Sequence, residues 1–475
     1  MLTKNNKTIA IVGGGPAALF MYKRLIESGN TNLTITIFER KNKLGSGMPY
    51  SPEGASSEHV TNVSGNEIPN IVNSVPDWLQ STHNEIQRKF NITPENFNDL
   101  KVMPRLLFGE YLSNQFELLK SESDKRGIIT DIHLDTLIID IKDDPSTKKA
   151  ATFTSTGSSA LFDHVIICTG HYWPKVNEGA TQGWFDSPYP PAKLSGILNH
   201  PVAIKGAALT AIDAIRTLAR QNGFFTETAN NMLEYTLHEH CREFKLVLHS
   251  IDGLLPSIRF HLNDPHLSPG NTEWTEEEIY QVMEANDGFI PLDYIFERNF
   301  KAPLLKGDPV FYQEIKDMLL DEFVEHMMGL RNNANAFELF KEEYMEAERS
   351  IKTHKSVYWK ERLSILSYAL NYPAKHLSAE DMIRYKKILM PLISIVIAFV
   401  PQSSAKELLA LYEAKVLTLL SVDKATKVEP AAEGGAYYLY NDENGSGAKV
   451  WYKTFIDGTG QKPINYDNFL FVGLK

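Results

Sequence analysis

Apolar residues change their spacing at the very start of the chain. Residues 9–12, Ile-Ala-Ile-Val, lie within a strand expected over Thr8 to Val12; after three glycines, Leu19, Tyr22, Leu25 and Ile26 recur at helical spacing. A second apolar strand, "LTITIFER", ends in Glu39 and Arg40. Further on, "DHVIICTGHYWP" (163–174) reads as a buried strand that closes on Thr169 and Gly170. Between these, "DIHLDTLIIDIKD" (131–143) and "AATFTSTG" (150–157) flank the turn-rich "DPSTKK", which predicts a β-meander or hairpin.

The switch from strand to helix spacing happens twice. In "HPVAIKGAALTAIDAIRTLAR" (200–220) a short apolar run meets Gly206, and Leu209, Ile212, Ile215 and Leu218 then share one helix face. "FKLVLHS" follows as a strand ending at Ser250. Residues 265–425 read as helices: "TEWTEEEIYQVMEA" opens on Thr272 with acidic residues suited to a helix N-terminus, and "DPVFYQEIKDMLLDEFVEHMMGL" and "AKELLALYEAKVLTLL" carry apolar faces. The longest apolar run, Ile388 to Val400, is too short to span a bilayer and contains Pro391, so a buried helix is expected and no membrane segment. Strand character returns in "AKVWYKTFIDGTGQKPI", ending in Thr459 and Gly460, and in "NFLFVGLK", read as the final strand.

Composition narrows the classes. A chain of 475 residues exceeds one ordinary domain, and 43% apolar with 11% aromatic residues is a globular balance. A net charge of -11 without a basic block gives a nucleic-acid partner no electrostatic support. The two cysteines, Cys168 and Cys241, form neither a CxxC pair nor a metal set, so a reduced, cytoplasmic protein is expected. The few polar residues before the first strand leave no room for a signal peptide.

The first switch point carries chemistry. Gly13, Gly15 and Ala18 form G-x-G-x-x-A, with Pro16 and Ala17 in the turn: Gly13 permits a tight turn, Gly15 a close backbone approach to a pyrophosphate, Ala18 close helix-to-strand packing. Glu39 stands where a carboxylate accepts hydrogen bonds from an adenosine ribose. The whole predicts a dinucleotide site; a phosphate-free turn leaves Glu39 unexplained. NAD and FAD share this turn. Beyond it come "KLGSGMPYS" (43–51) with Gly47, Met48 and Tyr50, "HVTNV" (59–63) with Asn62 and Val63, and "MPRLLFGEYL" (103–112) with Arg105.

This order resembles the FAD-NAD(P)-binding protein family of flavoproteins with two dinucleotide-binding domains, related to the flavin-dependent monooxygenases. The resemblance implies that the first turn holds the FAD pyrophosphate, that Gly47, Met48, Tyr50, Asn62 and Val63 lie along the flavin, and that the Arg105 segment covers it. It implies that Thr169 and Gly170 mark the exit from the FAD domain, with Cys168 in place of the usual alanine, and that Thr459 and Gly460 form a second such turn leading back. In the second unit the family pattern G-x-G-L-T-x-x-D is similar at Gly206, Leu209, Thr210 and Asp213. Ala208 replaces its second glycine, and Ile251 stands where relatives that use NADPH carry an arginine; Arg259 is nearby. In relatives a glycine turn and helix follow the final strand, whereas this sequence stops at Lys475.

The expected fold is α/β: an FAD-binding Rossmann-like domain (1–180 and 448–475, with the meander near 131–157), a second Rossmann-like NAD(P)-type domain (181–260 and 426–447), and a large helical insertion (261–425) capping the flavin. Pro188, Pro190 and Pro191 mark the linker. Three functions remain open: an FAD-dependent oxidoreductase reduced by NADP- or NAD-type dinucleotides, monooxygenase-like, on a small organic molecule; a substrate-reduced oxidase or dehydrogenase without nicotinamide binding; and a flavin-binding interaction module. Tyr50, Asn62 and Arg105 are expected near the isoalloxazine, and no catalytic residue is assigned. No metal is expected, since His238, His240 and Cys241 are too closely spaced for ligation. "LSGILNH" (194–200) resembles a monooxygenase fingerprint only loosely and is read as coincidence.

Overall fold

A computed structural model describes residues 6–82, 84–98, 101–229, 232–251, 253–262, 274–441, 447–461 and 464–475. The chain divides into two compact units, one of Met1–Pro174, Tyr189–Lys193 and Gln461–Lys475, the other of Lys175–Pro188 and Leu194–Gly460.

In the first unit β1 (Lys7–Val12) leads through the glycine turn into α1 (Pro16–Glu27) and back to β2 (Leu33–Phe38). A short antiparallel pair, β3 (Val60–Ser64) and β4 (Val102–Pro104), precedes the long helix α2 (Arg105–Lys125) and β5 (Ile129–His133). The antiparallel strands β6 (Ile138–Asp144), β7 (Lys149–Thr154) and β8 (Ser159–Phe162) then form a meander before β9 (His164–Ile167). Strands β5-β2-β1-β9 make one parallel sheet. Alternation along β1 gives that sheet two buried faces: Ile9 and Ile11 pack with Leu19, Tyr22 and Phe116 of the helices, Ala10 and Val12 with Ile138, Ile141 and Phe162 of the meander. Each buried isoleucine, leucine or valine among them contributes roughly 1.5–3 kcal/mol by leaving water.

The second unit repeats this order. It contains β10 (Trp184–Phe185), β11 (Pro201–Lys205), α3 (Leu209–Asn222), the hairpin β12 (Gly223–Glu227) with β13 (Leu233–Leu237), and β14 (Lys245–Ile251). After the helical region come α4 (Gln402–Glu413), β15 (Leu417–Val422), a meander of β16 (Lys427–Pro430), β17 (Ala436–Asn441) and β18 (Gly447–Tyr452), and β19 (Thr454–Asp457). The parallel sheet runs β10-β19-β11-β14-β15. Val202 and Ile204 face the helices and Ala203 the meander, as in β1.

Between β14 and α4 the helices build a core of their own around Phe296, Phe300, Phe323, Leu366 and Leu392. A buried ion network ties them to the segment after β14. Glu343 accepts from Arg331 (2.8 Å), Lys360 (2.9 Å) and Ser257 (2.8 Å), and Arg331 donates to Leu255 O (3.2 Å). Burial pushes the Glu343 carboxyl up, but Lys360 and Arg331 outweigh it and hold it at about 2. Among the described residues no helix is long and apolar enough to cross a membrane.

Several sequence expectations need correction. "DIHLDTLIIDIKD" is two strands, broken at Asp135 (φ 49), and the first joins the parallel sheet. "AKELLALYEAKVLTLL" is helical only to Glu413; Lys415 (φ 58) turns the chain into β15. "DPVFYQEIKDMLLDEFVEHMMGL" is two helices, Pro309–Ile315 and Leu320–Asn332. Thr272 lies outside the described residues; Thr275 caps that helix, its hydroxyl accepting from Glu278 N. "NFLFVGLK" is not a strand but ends in a single turn, Val472–Leu474, laid on β6, where Gly473 N–H donates to Asp140 (2.8 Å). The chain rejoins the first unit at Gln461 rather than 448, because β18 pairs with β17 and β19 with β11.

Candidate functional site

The glycine turn of the first unit is fixed by backbone hydrogen bonds. Gly13 N–H donates to Phe38 O (2.8 Å) and Cys168 N–H to Val12 O (2.7 Å), which brings the ends of β1, β2 and β9 together. Gly13 takes φ +102, and a Cβ there would stand 2.3 Å from Cys168 O. Gly15 precedes α1 in extended conformation, Pro16 fills the first helical position, and no side chain caps the helix. The first-turn amide of Ala17 therefore keeps its donor for an anion. Ala18 itself is fully buried against the sheet, the close packing expected of it.

Glu39 is buried, and both its oxygens are anchored: Oε2 accepts from Gly14 N (2.6 Å), Oε1 from Lys41 N (2.9 Å). The second glycine loop lies directly on this turn. Gly45 N–H donates to Gly14 O (2.7 Å), and a Cβ on Gly15 would sit 3.2 Å from the Gly47 Cα. Helix α2 backs the loop: Ser113 donates to Leu44 O (2.6 Å), Phe108 meets the Tyr50 ring edge-on at 4.8 Å, and a Cβ on Gly109 would strike Tyr50 O at 2.0 Å. Burial raises the Tyr50 hydroxyl pKa, with Arg105 pulling the other way.

These pieces enclose a cavity of about 590 Å³, within the usual range for a cofactor site of roughly 300–1,000 Å³. Of the residues expected from sequence, Gly13, Gly15, Pro16, Ala17, Glu39 and Arg40 line one part of it, and Gly47, Met48, Tyr50, Thr169 and Gly170 another. Arg40 and Lys41 both pair with Glu53, at 3.0 and 2.7 Å. Ala18, Asn62, Val63 and Arg105 do not line it. Asn62 is exposed on β3, while Arg105 donates through Nε to Val60 O (2.8 Å) and so fastens β3 to α2. Sequence reasoning missed Thr136 to Ile139, Cys168, His171, Tyr172, Leu470 and Phe471, which the meander, the strand exit and the last turn bring in.

In the second unit Gly206, Leu209, Thr210, Thr459 and Gly460 converge on the other turn. Gly206 takes φ +94, its N–H donates to His249 O (2.8 Å), and Gly458 N–H donates to Lys205 O (2.8 Å). The Thr210 hydroxyl lies 3.6 Å from where a Gly460 Cβ would be. Ala208 stands before α3 at φ −82, ψ −176, close to the −80, −165 of Gly15. Asp213 is buried on α3. Arg259 is buried too, its guanidinium 5.9 Å from the Phe399 ring, so it is not a surface residue.

Two family models match stretches of this chain. Residues 10–172 match the sequence model of the family described as FAD-NAD(P)-binding, and this stretch is an FAD-NAD(P)-binding domain. Residues 275–397, the helical region, match the YdhS-like middle domain. Over 471 residues the chain is 27% identical to the "Uncharacterized protein YdhS" of Escherichia coli (strain K12), covering 99% of this chain and 86% of that protein. Among solved structures, epsilon-caprolactone-bound cyclohexanone monooxygenase is 11% identical with a TM-score of 0.45, over 98% of this chain and 76% of the other. L-lysine 6-monooxygenase from Pseudomonas syringae is 11% identical with a TM-score of 0.43, over 96% of this chain and 82% of the other.

Proposed function

We propose that the protein is an FAD-dependent oxidoreductase, reduced by a nicotinamide dinucleotide and monooxygenase-like, acting on a small organic molecule. The observation that carries this reading is the cavity at the ends of β1, β2 and β9, where the open amide of α1, the Glu39 carboxylate and two mutually packed glycine loops face one space. These residues fit FAD. The turn at Gly15 and the amide of Ala17 would hold its pyrophosphate, Glu39 its ribose, and Gly47, Met48 and Tyr50 its far end. Bound there, FAD supplies the redox chemistry, and the protein orients it and excludes water. Gly206, Leu209, Thr210, Thr459 and Gly460 form the corresponding turn for the nicotinamide dinucleotide.

The test is a visible absorption spectrum after loading with FAD and desalting, followed by anaerobic titration with NADH and with NADPH. Retained yellow colour that bleaches on titration is the expected result. A colourless protein overturns the flavin reading. Retained flavin that neither nucleotide bleaches overturns the nicotinamide half and leaves an oxidase or dehydrogenase reduced by its own substrate.

A further inference from the structure

The end of β14 decides which nicotinamide dinucleotide the second unit can hold. Because Gly206 N–H reaches His249 O as Gly13 N–H reaches Phe38 O, Ser250 occupies the place that Glu39 holds in the first unit. Ser250 is buried, and its one O–H donor is directed to Leu254 O at 2.8 Å, with Ile251 O at 3.3 Å. Its oxygen keeps acceptor capacity. The next side chain, Ile251, is 51% exposed and wholly apolar. Arg259 lies buried against Phe399, its backbone N–H on Val400 O at 2.9 Å.

Resting on the reading of this unit as the nicotinamide site, we propose that Ser250 and Ile251 make it selective for NADH over NADPH. A ribose 2′-hydroxyl is a donor and finds an acceptor in the Ser250 oxygen. A 2′-phosphate brings only acceptor oxygens and negative charge, and it needs donors, best of all an arginine fork. At this strand end it meets a hydroxyl whose proton is already committed and an exposed isoleucine that offers it no donor.

The experiment uses the full chain loaded with FAD. Binding of NAD⁺ and NADP⁺ is measured by calorimetry, which needs no turnover, and anaerobic bleaching by NADH and NADPH is measured beside it. NAD⁺ is expected to bind about tenfold or more tightly than NADP⁺, the scale of one hydrogen bond to a charged group. Ile251→Arg, at an exposed position that tolerates the larger side chain, is expected to erase or reverse that ratio. Equal or tighter binding of NADP⁺ by the unaltered protein, or an unchanged ratio in Ile251→Arg, overturns the selectivity alone. Binding of neither nucleotide by flavin-loaded protein overturns the nicotinamide site and the selectivity together. Preference for NAD⁺ in a protein that holds no flavin sustains the selectivity while the flavin reading fails.

Discussion

The two units share one plan. Each has a strand, a glycine turn, a helix, a second strand, a crossover helix with a third strand, and a three-stranded meander before the last parallel strand. They differ at single positions of equal rank: Phe38 against His249, Glu39 against Ser250, Gly15 against Ala208. The last pair is instructive. The backbone at Ala208 is one that any residue adopts, and Gly15 has nearly the same angles. What favours glycine at 15 is the Gly47 backbone, 3.2 Å from where its Cβ would be, a contact that the loop must yield to by a few tenths of an ångström. Loop packing is thus one reason for glycine at 15, beside the close approach of a pyrophosphate.

The largest expected contrast lies between the helix pairs. In the first unit α1 meets α2 through a stack of Tyr22 on Phe116 at 5.4 Å, with the Tyr22 hydroxyl on Thr130 at 2.9 Å. In the second, α3 meets α4 through Glu407, which accepts from Arg216 (2.9 Å twice) and Arg220 (2.8 and 2.7 Å). Burial would raise the Glu407 carboxyl, but the two arginines bring it down to about 2. Glu407→Gln leaves Arg216 buried without its counter-charge and is expected to cost the second unit about 3–5 kcal/mol. Tyr22→Phe removes one neutral hydrogen bond and is expected to cost the first unit roughly 1 kcal/mol. Hydrogen exchange, read unit by unit, checks both; similar losses would mean that the ion pair is no more critical than the Tyr22 hydroxyl bond.

Acid should separate the units next. His249 stacks on Tyr438 at 3.7 Å, and burial holds its pKa at about 4, against an ordinary 6.5. The unfolded chain takes up this proton first, so the stability tied to neutral His249 is complete above about pH 6.5 and is lost as the pH falls towards 4, by roughly 3 kcal/mol in all. Phe38 has no such dependence. His249→Phe should flatten the pH dependence of the second unit between about pH 6.5 and 5; below that Glu407 and Glu343, at about 2 in the fold against an ordinary 4.5, add their own loss of stability. An unchanged slope in the variant would transfer the acid sensitivity to another group.

How much of this was legible in the sequence follows the range of the interactions. Gly13, Gly15 and Glu39 were readable because strand, turn and helix are local patterns, and the cavity forms where they meet. Leu470 and Phe471 were not, since "NFLFVGLK" has the composition of a strand and becomes a cavity wall only by lying on β6. Thr136 to Ile139 were hidden because the run through Asp135 alternates well enough to pass for one strand. The resemblance puts Arg105 beside the flavin, whereas in the fold its Nε donates to Val60 O, a partner that no local pattern announces. Thr459 and Gly460 carry the expected turn, yet the register of β19 with β11 keeps them in the second unit.

The smallest effects test the Gly15 and Ala208 contrast itself. Gly15→Ala meets no backbone strain and restricts the unfolded chain, a gain of roughly 0.4–1 kcal/mol that the close approach to Gly47 opposes. Stability should thus change by under about 1 kcal/mol, while displacement of the loop at Gly47 to Tyr50 weakens FAD retention by about tenfold, as equilibrium dialysis would measure. Ala208→Gly should leave nucleotide affinity within about twofold and lower stability by under about 1 kcal/mol, through the unfolded chain alone. If Ala208→Gly instead tightened nucleotide binding by about tenfold or more, the methyl group would be occupying the path of a pyrophosphate. The two turns would then differ in what they admit, and not only in which loop lies against them.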